Sequence, residues 1–81
     1  MAPRRLAPQD DADNGILTSV PGQYIGAAVS QCPEARTATA DTYNVAVDAG
    51  WVGRVVIVCK RVRDPRFGRW FWTAVRAERV K

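Results

Sequence analysis

The chain has 81 residues, enough for one domain and too few for two. With 47% apolar and 25% charged side chains it has the composition of a folding protein, and it contains no histidine. That absence removes the usual base near neutral pH, together with His-based triads and histidine metal sites.

The net charge of +4 is unevenly distributed. Residues 1–50 hold three basic and six acidic side chains, and residues 51–81 hold nine and two. All three Trp and both Phe lie in the second part. Such a split predicts a bipolar surface, with one basic face suited to an acidic partner. Cys32 and Cys59 match no zinc spacing and read as free, buried thiols in a reducing cytoplasm. Pro8 and Asp10–Asp13 interrupt any apolar stretch after Arg4 and Arg5, so a secretory signal is not expected. The run Val55–Cys59 is far too short to span a membrane.

Residues 1–15, with Leu6 as their one larger aliphatic, read as a disordered tail before a single domain over 16–81. Asp10–Gly15 begins like a calcium loop, but Ala12 and Pro21 occupy positions that need oxygen ligands. Ile16–Val20, ended by Pro21-Gly22, is a candidate short strand. Tyr24, Ile25, Ala28, Val29 and Cys32 fall on one face of a helix.

A second helix is expected over 33–49. Pro33 suits its first position, and Glu34, Thr37, Asp41, Asn44 and Asp48 form a polar stripe. Gly50 fits the left-handed cap, with Trp51 supplying the apolar contact that follows. The rival is a strand, because Tyr43, Val45, Val47 and Ala49 also alternate.

Arg54–Arg63 and Arg69–Arg79 then form a hairpin around the turn residues Asp64-Pro65-Arg66-Phe67-Gly68. The centre of the first strand is apolar on both faces, as in a sheet covered on both sides. The expected fold class is α+β: a small antiparallel sheet, made of this hairpin and a third short strand, packed against one or two helices. A hairpin alone is marginal in water, and Ile16–Val20 is the expected third strand.

Catalysis is not expected. Asp41 and Asp48 would lie about 10 Å apart on a helix, wide for a carboxylate pair. Gly50-Trp51-Val52-Gly53 lacks the Lys-Ser/Thr of a phosphate loop. No cofactor, metal or small-molecule substrate is implied. The hairpin offers more, since Arg54, Lys60, Arg61, Arg63, Arg66, Arg69, Arg76 and Arg79 interleave with Phe67, Trp70, Phe71 and Trp72. Arginine forks suit phosphate or carboxylate, and aromatic faces stack on unpaired bases. The plainer reading makes Phe71 and Trp72 core and the arginines solvated strand ends.

The candidate partner-binding residues are Arg61, Arg63, Arg66, Phe67, Arg69, Trp70 and Arg76. They point to a non-enzymatic binding protein engaging nucleic acid or an acidic protein or nucleoprotein surface. The alternative is a phage or mobile-element type of inhibitor or adaptor, as anti-CRISPR proteins are, acting by direct protein binding. A homodimer through an uncovered hairpin face is a third reading.

Overall fold

Between Arg54 and Arg63 the sequence RVVIVCKRVR is dense in β-branched residues, whose stiff χ1 suits a pleated strand. A computed structural model, which describes residues 14–80, makes this segment the middle strand of the fold. Strand β1 (Thr42–Asp48), β2 (Arg54–Arg63) and β3 (Trp70–Arg79) form one antiparallel sheet in the order β1-β2-β3. Val45 lies opposite Ile57, Ile57 opposite Ala77, and Arg61 opposite Trp72. A register shift between Val58 and Cys59 leaves Val75 as an extra residue in β3, the mark of a β-bulge.

Side chains alternate across such a sheet, and here the two faces have different fates. Val45, Val55, Ile57, Cys59, Trp72 and Ala77 are buried on one face. Helix α1 (Gly22–Ser30) covers them through buried Ala28, with Tyr24, Ile25 and Val29 packed alongside. On the opposite face Val56, Val58 and Val62 are half-buried and Phe71 is 46% exposed. The molecule is accordingly thin, measuring 37 × 34 × 19 Å. Among the described residues it is an α+β fold of the helix α1 and a three-stranded antiparallel sheet.

The helix expected around Tyr24–Cys32 is α1, and the hairpin stands where expected, around a turn at Asp64–Gly68. The second helix over 33–49 does not form. Residues 31–41 are loop and turns, and the rest is β1. Tyr43, Val45 and Val47 satisfy both patterns, and pairing with β2 decides for the strand, since it buries Val45 and completes the ladder.

Ile16–Val20 is not the third strand. Leu17–Ser19 form a 3₁₀ turn, and the segment meets the sheet through an isolated parallel bridge from Gly15 to Ala77, with Ile16 N–H donating to the Ala77 carbonyl at 2.8 Å, while Val20 is buried in the core. A Cβ on Gly15, whose φ is +63°, would sit 2.0 Å from the Ala77 oxygen. Gly50 does take positive φ, but it opens the short 3₁₀ turn Gly50–Val52 between β1 and β2 instead of closing a helix. Trp51 there is 79% exposed instead of packing beneath a helix cap. The expected tail over 1–15 lies outside the described residues except for Asn14 and Gly15.

Cys32 and Cys59 are both free; Cys59 is fully buried and Cys32 half-buried. Burial, and then the hydrogen bond with the Cys32 side chain, push the Cys59 thiol up to about 12. Cys32 Sγ in turn lies 3.6 Å from the Ala28 carbonyl, so helix and sheet meet through a thiol relay. A thiol reagent at pH 8 is expected to modify Cys32 in the native protein and Cys59 only at the rate of opening. The unfolded thiol ionises near its ordinary value of 9.0 while the native one holds its proton to about 12, so this group costs stability progressively as pH rises through that window. Equal labelling of both thiols in the native protein would contradict this packing.

Candidate functional site

The tip joining β2 to β3 is held by local chemistry. The Asp64 side chain accepts hydrogen bonds from the backbone N–H groups of Arg66 at 2.8 Å and Phe67 at 3.4 Å, an Asx-type turn. Gly68 N–H donates to the Asp64 carbonyl at 2.8 Å, and Asp64 N–H to that of Arg69 at 2.7 Å. Gly68 takes φ +70°, and Arg63 Nε donates to its carbonyl at 3.3 Å. A side chain at residue 68 would crowd that guanidinium. The tip is thus an ordered platform, and it carries Phe67 at 73% exposure.

The arginines around it stack on aromatic faces. Arg66 Cζ lies 5.7 Å from the Phe67 ring centre, and Arg63 Cζ lies 5.9 Å from that of Trp70. Trp70 keeps 37% of its surface exposed. Arg63, Arg66, Phe67, Arg69 and Trp70 are therefore brought together as one exposed basic and aromatic surface.

Arg61 belongs to the same neighbourhood but faces inward, with its side chain only 16% exposed. Its Cζ lies 4.4 Å from the Trp70 ring centre. One guanidinium nitrogen donates to the Ala35 carbonyl and another to Asp41 Oδ1, each at 3.1 Å. The Arg61 backbone N–H also donates to the Asp41 carbonyl at 2.8 Å. Arg61 Nε is buried without an acceptor among the described residues, and the other hydrogen bonds of this cluster offset its desolvation. Arg76 stands apart from the tip, on the open face of the sheet, and is engaged with Glu78.

Two features have little signal in the sequence. Trp72 Nε1 donates to the Pro33 carbonyl at 2.6 Å, which pins the 31–41 loop over the sheet. Beside it, Tyr43 packs against Trp72 with ring centres 6.2 Å apart, and the two line a cleft of about 340 Å³ with Pro33, Glu34, Thr37 and Thr39. Trp51, flanked by Gly50 and Gly53, is the second strongly exposed aromatic and stands at the sheet end opposite Phe67. Among the described residues no group of three or more His, Cys, Asp or Glu could hold a metal ion, and no helix is long and apolar enough to cross a membrane.

Compared with protein-family models, with curated proteins and with solved structures, the chain matches none.

Replacing Arg61 by Ala is expected to cost about 1.5–3 kcal/mol, the range for hydrogen bonds to a charged group, and to free the Trp70 ring. Lys at this position should recover only part, since an ammonium cannot fork between Ala35 and Asp41. Urea unfolding followed by Trp fluorescence checks both, and an Arg61→Ala chain of unchanged stability would show the cluster to be superficial.

Proposed function

We propose that this chain is a non-enzymatic binding module, acting in the cytoplasm, whose hairpin tip engages single-stranded nucleic acid. The observation that carries the reading is the ordered tip itself, a strongly exposed Phe67 among Arg63, Arg66 and Arg69, with half-exposed Trp70 beside it. A phenylalanine held out at a tight turn contributes nothing to the core. Its ring offers a face on which an unpaired base stacks, and base–aromatic stacking is worth about 1–3 kcal/mol per base. Arginine forks match phosphate oxygens in pairs.

Three tip arginines neutralising about three phosphates predict a log K against log salt slope near −2 for a single strand. Phe67→Ala should weaken binding by roughly 5–150-fold, the equivalent of one stacked base, and leave the fold intact. Fluorescence anisotropy with a labelled oligonucleotide from about 20 to 200 mM salt measures both. No binding at low salt, or a slope of zero, would sink the reading.

Exposed Trp51 supports a second reading, direct protein binding as an inhibitor or adaptor, because Trp is enriched among interface hot spots. A pulldown repeated after nuclease treatment separates the two. Under the first reading capture is lost with the nucleic acid; under the second it survives and depends on Trp51.

A further inference from the structure

We infer that the nucleic-acid strand proposed for the tip continues onto the open face of the sheet, where Phe71 stacks a further unpaired base and Lys60, standing between Thr42 and Thr73, seats the adjoining phosphate. The inference rests on the tip reading and gives it a direction and a second stacking site.

Strand alternation puts Arg69, Phe71 and Thr73 on this face of β3, because Trp70 and Trp72 between them turn to the helix side. Phe71 is 46% exposed and lies across from half-buried Val62. In the next row Thr42 pairs with Lys60 and Lys60 with Thr73, so an ammonium and two hydroxyls stand side by side. Lys60 and Thr42 are exposed, and Lys60 makes no ion pair among the described residues. Such a donor set suits phosphate oxygens. At a rise of about 3.4 Å per residue the Lys60 row lies about 7 Å from Phe71, close to the reach of one nucleotide in an extended strand. Exposed Arg69 stands two residues from Phe71 on the tip side, where Asp64 N–H donates to its carbonyl and the Asp64 carboxylate is spent on the turn. Phe71 therefore sits between two cations.

Charge limits the path. Beyond Lys60 the signs on this face balance, with Arg76 engaged by Glu78 and Asp48 opposite Arg54. The positive excess is confined to the half of the face that adjoins Phe67. Phosphate contacts fix the register of the strand there, while an aromatic ring accepts any base.

Fluorescence anisotropy of the full chain with a labelled oligothymidylate of about ten nucleotides tests the inference, a length within the site sizes such surfaces cover. Phe71→Ala is expected to weaken binding roughly 5–150-fold, the equivalent of one stacked base. Phe71→Leu, which keeps the apolar cover but not the ring, should weaken it nearly as much, and Phe71→Tyr should stay within about threefold of the parent. Lys60→Ala should flatten the log K against log salt slope by about 0.7, the share of one phosphate on a single strand. Phe67→Ala serves as the control for the tip. Weakening by F67A with none from F71A and K60A overturns the run along the sheet and leaves the tip reading standing. F71L binding like the parent, or F71Y as weak as F71A, overturns stacking on this ring. A parent chain that binds no oligonucleotide at low salt sinks the tip reading and this inference with it.

Discussion

The Arg61 guanidinium ties the 31–41 loop to β2 and to the base of the hairpin tip. It spans the Ala35 carbonyl, the Asp41 carboxylate and the ring of Trp70, which lie on the 31–41 loop and on β3. Through Asp41 it fixes where the loop ends and β1 begins, and the backbone bond from Arg61 to Asp41 continues the β1–β2 ladder. Through Trp70 it sets the orientation of an aromatic at the base of the hairpin tip. A largely buried cation is stabilised by the hydrogen bonds it makes and by a paired charge, so loop, strand and tip are mutually dependent.

This dependence divides the hairpin into two structural layers. Trp72 and Arg61 face the interior, one bonded to Pro33 and the other to Ala35 and Asp41, and they form the support. Phe67, Arg66 and Arg69 lie beyond the last strand pair, where the Asp64 turn holds them out. Trp70 belongs to both layers, with Arg61 against its ring and 37% of its surface open. A surface built this way presents its aromatics with little side-chain entropy left to lose on meeting the proposed partner.

The hairpin was legible because its signals are local. Asp64, Pro65 and Gly68 are turn residues for separate stereochemical reasons, and the valine run beside them fits only a strand. Phe67 at the tip could be picked out for the same reason. Strand β1 was not legible, since Tyr43, Val45 and Val47 alternate while Glu34, Thr37, Asp41 and Asn44 also form a helical stripe. What separates them is pairing with β2, a tertiary term that no local window contains. Arg61 was hidden likewise: its partners lie 26 and 20 residues away in sequence, so only the folded chain distinguishes it from the exposed arginines. Trp51 follows a glycine of positive φ that serves a helix cap and a 3₁₀ turn equally well.

The proposed contact site is the ordered tip and not the whole basic surface. Titrating the isotopically labelled protein with a short single-stranded oligonucleotide and following its amide and indole NMR signals tests this residue by residue. The largest shifts are expected on the amides of residues 63–70 and on the Trp70 indole, while the Trp72 indole, bonded to Pro33, stays in place. Shifts spread evenly over Arg54, Arg76 and Arg79, or centred on Trp51, would contradict it.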